Sequence, residues 1–289
     1  AVGEHGRIWK TANLGFVGGP WAQKSSGDVS NLHDMQFVNP LIGWTAGEKG
    51  RIRKTIDGGR TWSVQPTGTF AALNSIAMYD PSRGIAVGDA GAVFYTDNGG
   101  GTWVRASSGT TRDLHCVRFA DGLHARALGE NGTNVASTDG GVNWSATTYA
   151  TNVTFLSIDY VDANTAWAAG DSSGIGKLFN SSDGGTTWTM APIEPTLQLT
   201  AIHFVTPQVG IAVGVNGKIL WSTDGGSLWT PRASPENTRL NKIFFIDSST
   251  GWIVGNGGVT LKTTSGGRVW SRLISRTGQD LHGIHFFNS

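Results

Sequence analysis

Seven tryptophans, Trp21, Trp62, Trp103, Trp144, Trp188, Trp229 and Trp270, recur along the 289-residue chain at steps of 41, 41, 41, 44, 41 and 41 residues. A step of that length is one supersecondary unit, too small to bury its apolar face alone, so copies must stack on one another. Eleven residues after each tryptophan an apolar strand pattern opens, at Leu32, Leu73, Leu114, Phe155, Leu199, Leu240 and Leu281. Seven units are thereby accounted for.

Six of the tryptophans close a glycine turn: TIDGGRTW (55–62), TDNGGGTW (96–103), STDGGVNW (137–144), SSDGGTTW (181–188), STDGGSLW (222–229) and TTSGGRVW (263–270). This is an Asp-box. Its acid or amide can bond the turn's own amides while the glycines take positive φ, which makes Asp57, Asn98, Asp139, Asp183 and Asp224 structural residues. Ser265 fills the acid position in the last box, where a catalytic group would not tolerate exchange. Between the apolar strand and the box lie an A-V-G-like segment (WTAG, IAVG, RALG, WAAG, IAVG, WIVG) and a G-x-I-like segment (GRIRKT, GAVFYT, GKILWS). Four short strands per repeat, with turns every ~8–12 residues and no helical period, predict an all-β, seven-bladed β-propeller of four-stranded antiparallel blades.

The chain ends on LHGIHFFNS, an innermost strand with no blade after it, and opens on AVGEHGRIWKT, a second and third strand with no first. Aligning FFNS with FVNP and Ala1 with Thr45 leaves four positions missing, in a surface turn. The C-terminal strand is therefore expected to join the N-terminal blade and remove the free sheet edges. The expected layout is one domain, 1–289. Residues 281–289 and 1–30 share a blade, and the further blades are 31–71, 72–112, 113–153, 154–197, 198–238 and 239–280.

A net charge of +1 with 15% charged residues is not the balance of a general nucleic-acid binder. The single Cys116 lies in the apolar strand LHCVRF, without a disulfide partner or a C-x-x-C metal signature, and reads as a buried small residue. No apolar run approaches the ~18 residues of a membrane span. A start at Ala1, low charge and abundant Gly, Ser, Thr and Trp lean toward an exported protein.

The unit L-x-x-I-x-F, then G-W/I-A-V-G, then G-x-I-x-x-T-x-D-G-G-x-T-W, made into seven short blades over the whole chain, resembles the photosystem II stability/assembly factor family of cyanobacteria and chloroplasts. Similar chains occur in bacteria that do not photosynthesise. The resemblance implies a non-enzymatic scaffold of the periplasm or thylakoid lumen that holds an unassembled reaction-centre subunit through an arginine-rich face. The expected partner is thus a protein, the state a monomer, and no cofactor is implied. The nearest candidates for that face are Arg51, Arg53 and Lys54 in GRIRKT with Arg7 and Lys10 in GRIWKT, at equivalent positions of adjacent blades. Alternation puts Arg51, Arg53 and Thr55 on one side of their strand, a clustering suited to an acidic partner; the competing reading is ordinary solvated charge. Arg112 and Arg239 are expected at the channel mouth. No long insertion interrupts the blades, which puts any loop-made contact of the family in doubt.

Two further constellations repeat. One position after the leading apolar residue stand His282, His33, Asn74, His115, Leu156, Thr200 and Asn241. The three imidazoles His33, His115 and His282 either face a ligand in the channel or, like the other polar residues of that row, bond the neighbouring blade. The turns between second and third strands carry Glu4, Glu48, Asp89, Glu130 and Asp171, either as turn formers or as a cation or basic-peptide contact.

A carbohydrate-active propeller is the competing class. A sialidase needs an arginine triad, a Tyr–Glu nucleophile and an acid/base Asp. GRIW lacks the proline of the expected R-I-P segment, and Tyr149 with Glu194 is a coincidental pair. A sugar-binding module would expose an aromatic platform, for which the blade connections offer only Phe70 and Tyr149. The expectation is therefore a binding protein with no catalytic or metal residue.

Overall fold

The computed structural model describes residues 1–11, 21–27, 29–149, 152–194 and 198–287. The shared-blade stretch 12–20 and the last two positions of the FFNS alignment lie outside the described residues, as do parts of two blade connections, 150–151 and 195–197. The fold is a seven-bladed β-propeller of seven four-stranded antiparallel sheets. In the blade opened by Leu32 the strands are Leu32–Phe37, Gly43–Gly47, Arg51–Thr55 and Ser63–Gln65, paired in chain order. The remaining sheet runs Leu281–Gly283, Val2–Gly3, Arg7–Lys10, Ala22–Ser25, so a C-terminal strand is innermost in the N-terminal blade. By internal contacts the chain divides into two units: Val2–Ile8 with Lys24–Phe155, and Ala1 with Trp9–Gln23 and Leu156–Ser289.

Each unit is built from face-to-face blade packing, as the repeat requires. In the first, Trp44, Ala46 and Ile52 of one blade pack with Leu73, Ile76, Phe94 and Trp103 of the next. In the second, Trp167, Ala169 and Leu178 pack with Leu199, Phe204 and Trp229, whose ring meets Trp167 edge-on at 5.6 Å. The A-V-G segments are buried along their whole length because both of their faces are covered. Cys116 is buried and free. The glycine closing each such segment is sterically forced: a Cβ on Gly88 would stand 1.9 Å from the Ala72 carbonyl oxygen.

The innermost strands share one irregularity. The pairing slips between Leu32 and Asp34, Leu73 and Ser75, Leu114 and Cys116, Leu199 and Ala201, and Leu240 and Lys242. The skipped residue is a β-bulge, and it is the position of His33, Asn74, His115, Thr200 and Asn241. Among the described residues no helix is long and apolar enough to cross a membrane.

Candidate functional site

The Asp-boxes keep their polar groups for themselves. Asp57 accepts from the Arg60 and Thr61 amides at 2.9 Å, from the Thr61 hydroxyl at 2.6 Å and from the Thr55 hydroxyl at 2.8 Å, while Thr55 Oγ1 accepts from the Gly59 amide. Asp183 repeats the pattern with Thr187 and Ser181. Asn98 accepts from the Thr102 amide and the Thr96 hydroxyl in the same way, but its amide donates to the Thr102 hydroxyl, reversing that bond. The Thr61 hydroxyl and amide hold the Asp57 carboxyl well below the usual carboxylate range. In the last box Ser265 Oγ accepts the Val269 amide, which is why an acid is dispensable there.

The turns between second and third strands, Glu48–Gly50, Asp89–Gly91, Glu130–Gly132, Val215–Gly217 and Asn256–Gly258, lie at the same blade ends as the connections leading to the innermost strands. The Asp89 amide donates to Ala72 O at 2.9 Å and the Glu130 amide to Asp113 O at 3.0 Å. Their middle residues are left-handed, from Asn131 at φ 51° to Gly257 at 64°. That residue's amide is capped by the residue preceding the next blade's leading leucine: Ala90 by Asp113 Oδ1 and Gly257 by Asp280 Oδ1, each at 2.8 Å. Glu48 accepts from the Asn31 amide and side chain, and Asp89 from Asn74 at 2.8 Å. Asn31 Oδ1 likewise caps the His5 amide at 2.8 Å, and only a shared repeat phase marks Asn31, Asp113 and Asp280 in the sequence.

The bulged polar row binds blade to blade. Asn74 donates to Leu114 O at 3.1 Å, Asn241 to Leu281 O at 2.8 Å, and the Thr200 hydroxyl to Leu240 O. The three histidines of the row are half-buried. Burial pushes the pKa of His115 down, against the raising influence of Glu130, Asp113 and Asp89. Among the described residues no three His, Cys, Asp or Glu side chains gather to hold a metal.

The cations fall into different surroundings. Arg7 and Arg51 each open the third strand of adjacent blades within one unit and are half-exposed. Arg53 is only 4% exposed, because both faces of a third strand are covered by neighbouring blades. Lys54 donates to Gly99 O at 2.7 Å and lies over the Trp44 ring, its pKa lowered by burial. Lys10 is exposed and belongs to the other unit. There too, Arg239 donates to Gln198 Oε1 and to Asn241 Oδ1, and Gln198 donates to Asp171 Oδ1 at 3.0 Å. That network takes two of its five donors; burial lowers the Arg239 pKa and Asp171 opposes the shift.

Arg112 lies on the rim of a hollow that no sequence pattern marks. The hollow is about 780 Å³ and is lined by Ala90, Gly91, Arg105, Ala106, the connection 107–111 and Arg112. Arg112 is pinned by a 2.9 Å bond to Asn131 O. Tyr149 packs its ring on Phe155 at 6.2 Å.

The family model for the photosynthesis system II assembly factor YCF48 matches residues 17–111 and 190–280. The chain belongs to this assembly-factor family. Its fold is similar to a structure described as YCF48 bound to D1 peptide, at 18% identity and a TM-score of 0.70 over 94% of this chain and 86% of that one. YCF48 from Cyanidioschyzon merolae matches at 18% identity and 0.70, covering 87% of each chain. The WD40 propeller domain of Doa1 matches at 13% and 0.73, over 99% of this chain and 90% of that one. No curated protein matches the sequence. The assembly-factor segments include Arg51, Arg53, Lys54 and Arg239, while Arg7, Lys10 and Arg112 fall outside them.

Proposed function

We propose that the chain is a non-catalytic scaffold that binds a peptide segment of an unassembled membrane-complex subunit, as an exported monomer of the periplasm or thylakoid lumen. The observation that carries this reading is the assembly-factor match in both units. The structure described as YCF48 bound to D1 peptide supports a protein partner. The box carboxylates, engaged in their own turns, support a role without catalysis. The contact set proposed in the first unit is Arg7, Arg51 and Arg112, with Arg53 and Lys54 as the packed base of the cluster. Lys10 and Arg239 are the basic positions of the second.

The test is capture of partners from an extract of the source organism on immobilised protein, with Arg7→Glu/Arg51→Glu beside the wild type and a glycan array in parallel. Capture of a membrane-complex subunit that the double variant loses is the expected result. Retention of glycan alone, indifferent to both arginines, would replace this reading with a sugar-binding propeller.

A further inference from the structure

The repeat shows what occupies an arginine on an outer strand. In the seventh blade Arg272, on strand Ser271–Leu273, is paired at 2.7 Å with Glu236, which lies in the connection leaving the blade before. The residue in Arg272's place in the third blade is Arg105, on strand Val104–Ala106. The residue in Glu236's place is Thr69. The same register holds in the first unit, where a Cβ on Gly109 would stand 3.4 Å from the Ala146 Cβ. Gly109 precedes the Glu236-equivalent Thr110, and Ala146 occupies the Arg272 place one blade on. Arg105 is thus an arginine whose internal carboxylate has been replaced by a hydroxyl.

Three observations converge there. Among the described residues neither Arg105 nor Arg112 has a carboxylate partner. Both line the 780 Å³ hollow, together with the hydroxyl-rich connection 107–111. Arg112 gives one of its five donors to Asn131 O, which fixes the guanidinium while leaving donors for a ligand. Phe70, the residue after Thr69, is 89% exposed; the repeat before has Val29, 76% exposed, in its place, and the repeat after has Thr111. A lone exposed apolar residue is ordinary. By the repeat register, Phe70 is the next residue after the vacated acid position that corresponds to Arg105.

We propose that Arg105, Arg112 and Phe70 form a seat for a carboxylate-bearing peptide segment, the acid on the arginines and an apolar neighbour on Phe70. The ligand carboxylate takes the part that Glu236 plays on Arg272, a charge-assisted contact. This rests on the protein-binding reading above and adds a place and a chemistry to it.

The test titrates three probes by calorimetry: a short peptide carrying Glu beside Leu, the same peptide with Gln, and glucuronic acid. Wild type, Arg105→Ala, Phe70→Ser and Arg7→Glu/Arg51→Glu are compared. Arg105 is exposed, so its variant is expected to melt at the wild-type temperature. Expected are saturable binding of the Glu peptide and a loss of about tenfold both for the Gln peptide and in Arg105→Ala. A smaller loss is expected in Phe70→Ser, and any loss in Arg7→Glu/Arg51→Glu is expected to be smaller than in Arg105→Ala. Binding that ignores Arg105 but needs Arg7 and Arg51 overturns the seat and leaves the protein-binding reading standing. Glucuronic acid binding without peptide binding overturns the peptide. No peptide binding overturns the seat, and if the extract also yields no subunit the scaffold reading falls with it.

Discussion

An Asp-box aspartate is a turn component whose charge matters through the donors aimed at it. Burial raises the Asp183 carboxyl, but the Thr187 amide and the hydroxyls of Thr187 and Ser181 outweigh it and bring the pKa from 3.8 down to about 2. Asp57, Asp139 and Asp224 shift the same way. So do the acids of the turns joining first and second strands, Asp80, Asp121, Asp162 and Asp247. A depressed folded pKa gives stability that is complete above the unfolded value and lost as pH falls through the folded one. The melting temperature should therefore be flat above pH 5 and drop between about pH 4 and 2. Asp183→Asn should lower it at pH 7 and shrink the acid drop; an unchanged acid limb would show that these carboxylates do not set acid stability. Of this, the structural nature of the boxes was legible in the sequence. Lys54 was not legible as a box ligand, because Gly99 belongs to the next repeat.

At the level of the strand, an innermost strand presents an edge that nothing in its own sheet covers, and at Leu73–Met78, Leu114–Phe119 and Leu199–Phe204 the preceding blade caps it with side chains. Gln36 does this most completely: its carbonyl accepts the Met78 amide at 2.8 Å and its amide donates to Met78 O at 3.0 Å, as a further strand would. Asp34 accepts the Ser75 hydroxyl and the Ile76 amide, and Asp159 the Phe204 amide. Gln36→Ala leaves both Met78 groups unpaired and should cost about 1–3 kcal/mol in chemical denaturation. A loss under about 0.5 kcal/mol would mean that water replaces the amide at no cost. The period-two pattern located these strands, yet a Gln at an alternate position carries no sign of what it bonds. Only the stacking of blades brings Gln36 to Met78, 42 residues on.

At the scale of the whole propeller, the sheet Leu281–Gly283, Val2–Gly3, Arg7–Lys10, Ala22–Ser25 is the one assembled from both chain ends. Leu281 and Ile284 are buried with Trp9, Trp21 and Trp252. Deleting 280–289 would uncover that core and leave Val2–Gly3 as an edge strand. The deletion should aggregate on size-exclusion chromatography and melt well below the intact chain, and a monomeric deletion of unchanged melting temperature would refute the closing role. We propose that 1–289 folds as one domain, so calorimetry of the intact chain should show a single transition. Two transitions would assign the two contact units separate stability.

The period of the tryptophans, the strand patterns and the split blade determined the number of blades, their order and the self-bonded boxes. They act locally or through a fixed repeat, and so survive in one dimension. The tertiary structure decided everything that depends on which repeats touch. It buried Arg53, spent Arg239 on Gln198, and paired Arg272 with Glu236. Arg105 keeps no such partner among the described residues and borders the hollow. A charge in a sequence has a sign and a position, but its availability to a ligand is set by neighbours about forty residues away.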